Sequence, residues 1–132
     1  MYAPADLYTV PREYTHTPVT VAEQTAVVIG GTSGIGRAIA LGFAEEGANV
    51  IAASRTKARV ERTAEELRER GAETVTATCD VTDRESLRDL RASVIDAFDG
   101  VDVLVNSPSY IARAGVMDAT DEEWEQVFDV QL

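Results

Sequence analysis

From Thr25 onward the chain alternates between two hydrophobic patterns. Thr25–Ile29 is a continuous run of β-branched and apolar residues, as in a short strand buried on both faces. Ile35, Ile39 and Phe43 then recur at every fourth position, with Gly47 behind them, which predicts a helix with a glycine stop. Asn49–Ala53 returns to a strand run. Val60, Ala64 and Leu67 mark a helix over 57–70, closed by Gly71. Glu73–Thr78 is predicted as a third strand that leads into Cys79. Thr82-Asp-Arg-Glu85 has capping-box spacing and opens a helix to about Phe98, with Leu87, Leu90, Val94 and Phe98 on one face and Gly100 at its end. Val101–Val105 is almost wholly apolar, as a central parallel strand should be. A second capping box, Thr120-Asp-Glu-Glu123, starts a last helix, with Trp124, Val127, Phe128 and Gln131 on one face. Strands alternating with helices predict an α/β fold around a parallel sheet.

Residues 1–24 carry neither period. Prolines at 4, 11 and 18 interrupt them and tyrosines at 2, 8 and 14 are spaced six apart, so this stretch reads as an extended N-terminal arm before a domain spanning 25–132. Either the arm docks on a neighbouring subunit through its tyrosines or it is a mobile tail. His16, the single histidine, lies in this arm. A histidine base is therefore poorly supported, and no metal site is expected.

The candidate chemistry sits where the first strand meets the first helix. Gly30, Gly34 and Gly36 punctuate that junction. Glycines let a ligand approach the backbone, and a helix N-terminus offers unpaired N–H groups and a partial positive charge, so a strand, a glycine turn and a helix together suit a phosphate. A tight turn that merely packs closely is the plain alternative. The second strand completes a βαβ unit of dinucleotide-binding length and favours the phosphate. At the end of that strand an acid would bond the 2′-hydroxyl of NAD, but the residues are Ser54 and Arg55. A guanidinium pairs with phosphate in bidentate fashion, which suits the 2′-phosphate of NADP(H); a solvated arginine at a helix start is the alternative.

Composition narrows the partners. Among 132 residues, 45% are hydrophobic and the net charge is −11, which is globular and argues against nucleic acid or an anionic membrane as partner. Lys57 is the single lysine. An acid-rich, lysine-poor chain suits a cytoplasm of high salt, where screening removes self-repulsion, or is simply an ordinary acidic protein. The single cysteine, Cys79, excludes an intrachain disulfide and falls in an apolar pattern, as core filler does. With no signal-peptide order and no membrane-length apolar run, the expected compartment is the cytoplasm.

The spacing Gly30-x-x-x-Gly34-Ile35-Gly36 resembles the short-chain dehydrogenase/reductase family, with Ile29 where that family usually has threonine. The resemblance covers about Thr25 to Leu132. It implies a doubly wound parallel sheet of Rossmann type, in the order third, second, first, fourth strand. It also implies cofactor contacts from Gly30, Thr32, Ser33, Gly34, Ile35 and Gly36. Ser54 and Arg55 would meet the adenosine ribose, Asp80 the adenine amino group, and Val81 the ring. For Asp80 a plain turn role is the alternative. Asn106 matches the family's strand-end asparagine, but Ser107-Pro-Ser109 departs from its usual Asn-Ala-Gly. Gln131 stands where the family has an asparagine supporting a proton relay.

The family's catalytic Tyr-x-x-x-Lys pair is not in this sequence: Tyr2, Tyr8, Tyr14 and Tyr110 are followed four residues on by Asp6, Arg12, Pro18 and Ala114. The expectation is an NADP(H)-dependent oxidoreductase acting on a small carbonyl or alcohol, homo-oligomeric at full length, and truncated here after the fourth strand and its helix. A catalytically inactive nucleotide-binding or interaction module is the alternative.

Overall fold

In the computed structural model, residues 20–131 are described. The expected arm lies outside the described residues up to position 19, together with its tyrosines and His16. The elements are β1 (Thr25–Ile29), α1 (Gly34–Glu45), β2 (Asn49–Ala53), α2 (Lys57–Glu69), α3 (Arg84–Phe98), β3 (Val103–Asn106) and α4 (Asp121–Gln131). The sheet is parallel in the order β2-β1-β3. Register pairs Ile29 with both Ala53 and Asn106. Three strands therefore end at one level, and the residues that follow them emerge side by side.

Alternation along the strands divides the core into two faces. Val28, Val50 and Ala52 pack against Ala40, Ala44 and Leu67, beneath α1 and α2. Val27, Ile29, Ile51 and Ala53 face the other way, onto Leu90 and Val94 of α3. Helices cover both faces, as a doubly wound sheet requires. Arg37 of α1 is also ion-paired with Glu66 of α2.

Four sequence expectations change. The segment 73–78 forms no regular strand. It runs beside β2, held near its ends by Val50 N–H donating to Glu73 O (3.0 Å), a parallel bridge between Ser54 and Thr78, and Cys79 N–H donating to Ser54 O (2.9 Å). Its position agrees with the expected strand order, but Glu73, Thr76 and Thr78 are exposed, so its outer backbone groups can bond water at little cost. On α1 the buried stripe is Gly36, Ala40 and Ala44, while Ile35 is 77% exposed. The helix lies so close to the sheet that only the smallest residues fit on its midline. At α3, Asp83 is the cap and its side chain accepts from Glu85 N–H at 2.9 Å; Thr82 bonds Asp80 instead. A carboxylate one residue nearer the helix takes the free N–H. The same helix ends at Phe98 as expected, but the left-handed residue that stops it is Asp99, at φ 63°, in place of Gly100.

The second capping box forms as read, with Thr120 N–H donating to Glu123 (3.0 Å) and Glu123 N–H to the Thr120 hydroxyl (3.2 Å). β3 is the outer strand among the described residues, and Leu104 on it is 64% exposed. No residue of α4 is buried. Trp124 and Phe128 on that helix stack on each other, their centroids 6.1 Å apart.

Candidate functional site

The strand ends build the site. Gly30 and Gly31 N–H groups both donate to Ala53 O (2.9 and 3.3 Å), hooking the turn after β1 onto β2. Ser107 N–H donates to Ile29 O at 2.9 Å, which ties the end of β3 to the same turn. Gly30 has φ +78°, and a Cβ there would overlap the Ser107 carbonyl. At Gly36 a Cβ would overlap the carbonyl oxygen of Gly30, so the first turn of α1 rests directly on the loop. Both positions need glycine for close approach.

Ser33 caps α1 in an extended conformation, its side chain bonds no helix N–H, and the first turn holds no acid. The N–H groups of that turn therefore keep their capacity for an external anion, and the helix dipole adds to the attraction.

A cavity of about 540 Å³ opens over this turn, within the size range of small-molecule sites. It extends from the α1 N-terminus across Ser54 and Arg55, beyond β2, to Asp80 and Val81. Every cofactor position expected from the sequence lines it except Asn106. Asn106 ends β3 in register with Ile29, and the residues facing the cavity are the next ones, Ser107 to Tyr110. Gln131 is not on the wall either; its side-chain amide donates to Tyr110 O at 3.2 Å and ties the loop after β3 to α4.

Three features were missed in the sequence. The Thr32 hydroxyl donates to that of Ser54 at 2.9 Å, joining the glycine turn to the end of β2. Thr56 and Arg59, at the start of α2, also line the cavity. Spacing was the available signal for Arg59, which follows Arg55 by one helical turn. Gln126 and Val130 approach from α4, and no local pattern marks them.

Asp80 is held below the usual carboxylate range, first by the Thr82 hydroxyl (2.7 Å), next by the Thr82 N–H (2.9 Å), with the charge of Arg55 adding to both. Because the folded pKa is below the reference 3.8, this contribution to stability is present above that value and is lost as pH falls through the folded pKa. Thr82→Val is therefore expected to raise the Asp80 titration midpoint in a carboxyl NMR titration. The stability gap to the parent protein should close in acid. An unmoved midpoint would mean that the hydroxyl bond is not formed in solution. Burial pushes the neighbouring Cys79 thiol up, against a lowering hydrogen bond from Ser86, so it stays protonated and a weak nucleophile at neutral pH.

A parallel sheet covered by helices on both faces, with a glycine turn feeding a helix at its carboxyl edge, defines a Rossmann-type α/β domain. The family model for short chain dehydrogenase matches residues 24–132, and the chain belongs to the short-chain dehydrogenase/reductase family of oxidoreductases. An uncharacterized oxidoreductase of Thermotoga maritima is 41% identical over 110 residues, 83% of this chain and 43% of that protein. The crystal structure of L-sorbose reductase from Gluconobacter frateurii, complexed with NADPH and L-sorbose, superposes with TM-score 0.80 at 33% identity, over 86% of this chain and 43% of that one. A variant of actinorhodin polyketide ketoreductase with NADPH gives TM-score 0.79 at 35% identity, over 83% and 42%. The chain thus spans less than half the length of these relatives. The family uses a nicotinamide cofactor on small-molecule substrates.

Proposed function

We propose that this sequence supplies the cofactor-binding half of an NADP(H)-dependent oxidoreductase, which moves a hydride between nicotinamide and a carbonyl or alcohol carbon. The observation that carries the cofactor choice is Arg55: it lines the cavity at the end of β2, where an NAD site would place an acid. Free N–H groups of the α1 first turn suit the pyrophosphate, and Ser54 with Arg55 suits the 2′-phosphate. Asp80 has its Oδ1 occupied by Thr82, which leaves Oδ2 to accept from an adenine amino group beside Val81. The Ser107 N–H, next to Asn106, braces the point where β3 meets the glycine turn. When bound, the nicotinamide supplies the hydride; the groups of this chain hold and orient it.

The matching proton transfer needs an acid–base pair, and the reading assigns that pair to residues outside this sequence, which holds no Tyr-x-x-x-Lys. Gln131 serves the site indirectly, by fixing the Tyr110 carbonyl. The same reading places the protein in the cytoplasm as a homo-oligomer with a small-molecule substrate. Among the described residues no helix is long and apolar enough to cross a membrane.

Calorimetric titration with NADP(H) and NAD(H) tests the cofactor reading. NADP(H) is expected to bind more tightly, and Arg55→Ala to weaken it about tenfold or more while leaving NAD(H) unchanged. Equal affinity for both dinucleotides would sink the preference. The departure of Ser107-Pro-Ser109 from the family turn favours a second reading, an inactive nucleotide-binding module. It predicts the same binding with no turnover by the whole protein.

A further inference from the structure

Acidic residues outnumber basic ones 23 to 12 in this chain, so two basic side chains gathered on one cavity wall need a reason. Two of the four cations of α2 have an acidic partner. Lys57 pairs with Glu61 at 3.7 Å, Arg62 with Glu66 at 3.5 Å, and Arg70, just beyond the helix, with Glu45 at 3.3 Å. Among the described residues Arg55, Arg59, Arg68, Arg84, Arg88, Arg91 and Arg113 form no ion pair. Of these, only Arg55 and Arg59 line the large cavity. Arg68 is in the last turn of α2, remote from it.

Two guanidinium groups on one cavity wall repel each other unless an anion sits with them. Asp80 offsets Arg55 in part, since it senses that charge, but its Oδ1 is already committed to Thr82. What remains is a wall with room for an anion, flanked by two planar, always-charged donors. A phosphate monoester fits this demand better than a hydroxyl. It is close to a dianion at neutral pH, with a second pKa near 6, and has three acceptor oxygens.

We infer that Arg59 is a second specificity-determining residue, which closes with Arg55 on the 2′-phosphate of NADP(H). The inference rests on the cofactor reading above and deepens it. Arg55 follows β2 directly and is placed by the sheet. Arg59 is placed by the first turn of α2, where its own N–H and that of Val60 both donate to Thr56 O (3.0 and 3.1 Å). The two arms thus come from different elements and meet at the phosphate. Neither is needed for the part of the dinucleotide that NAD shares.

The test is calorimetric titration of NADP⁺ and NAD⁺ into the parent protein and into Arg55→Ala, Arg59→Ala, Arg59→Lys and Arg68→Ala, with circular dichroism confirming the fold of each. Arg59→Ala is expected to weaken NADP⁺ about tenfold and to move NAD⁺ by less than twofold. Arg59→Lys should recover part of the loss, since it restores the charge but not the fork. Arg68→Ala removes the same charge from the same helix, and should change neither dinucleotide. If Arg59→Ala leaves NADP⁺ within twofold while Arg55→Ala weakens it, the cofactor reading stands and the role of Arg59 falls. An equal loss for both dinucleotides, or the same loss from Arg68→Ala, also overturns it. A parent protein without preference for NADP⁺ removes the cofactor reading itself, and this inference with it.

Discussion

Gly36→Ala is expected to destabilise the protein by about 2 kcal/mol and to weaken dinucleotide binding on the order of a hundredfold. Two effects oppose each other at this position. Alanine is favoured over glycine inside a helix by about 1 kcal/mol. Against that, the new Cβ would overlap the Gly30 carbonyl oxygen, a backbone atom with no rotamer to escape into. Gly30 is itself fixed by its N–H bond to Ala53 O and by contact with the Ser107 carbonyl, so either the turn or the whole helix must shift. Overpacking of this kind typically costs about 1–3 kcal/mol, and here it exceeds the helical gain. Movement of the turn also re-aims the α1 N–H groups that suit the pyrophosphate. Gly42→Ala provides the contrast: a Cβ there meets nothing within 4 Å in the same helix. It should stabilise by up to about 1 kcal/mol and leave binding intact. Urea unfolding with calorimetric titration reads both effects. If Gly36→Ala were as stable as Gly42→Ala and bound NADP(H) normally, the close approach of helix to turn would be refuted.

That contrast marks how far the sequence can be read. The glycine spacing announced a turn that needs close approach, and the strand-helix alternation announced the sheet around it. Both signals are local, because a βα turn is specified by residues within one short window. The stripe on α1 was read from Ile35, Ile39 and Phe43; Ile39 and Phe43 do pack half-buried against the core, but the fully buried line is Gly36, Ala40 and Ala44. Large residues dominate a periodicity count, whereas the contact distance between helix and sheet selects small ones. Ile35 is free to face the cavity for that reason. The segment 73–78 was misjudged in the other direction. Its alternation is that of a strand, but ladder formation depends on what lies beside it, and bonds to β2 form only near its ends. Thr82 had the right spacing for a capping box; Asp83 was the stronger competitor, and Thr82 was drawn to Asp80. At the site, the positions directly after β1 and β2 were legible. Arg59, the Thr32–Ser54 bond and the approach of Gln126 from α4 needed the assembled fold.

Leu67→Ala is expected to cost about 4 kcal/mol, near the upper end for removal of a buried leucine. Leu67 has no exposed surface, and the cluster around it consists largely of alanines: Ala40, Ala44, Ala48, Ala52 and Ala72, with Val28 and Val50. The cost of a large-to-small change depends on how far the surroundings can collapse into the void. Alanine side chains have no rotamers with which to fill it, and the backbones of α1, β1 and β2 are held by the sheet register. The cavity should therefore persist. A loss of that size is a large part of the 5–15 kcal/mol that usually separates folded from unfolded domains. It should reach the site as well, because α2 carries Leu67 in its last turns and presents Arg59 in its first. Leu67→Met conserves volume and should cost less than about 1.5 kcal/mol. Phe128→Ala provides a scale for an exposed aromatic: that ring is 51% exposed on a helix with no buried residue, so its loss should cost less than about 1 kcal/mol despite its greater size. Urea unfolding of the three variants orders them. A Phe128→Ala loss exceeding that of Leu67→Ala would move the centre of stability from the α1–α2 face of the sheet to α4.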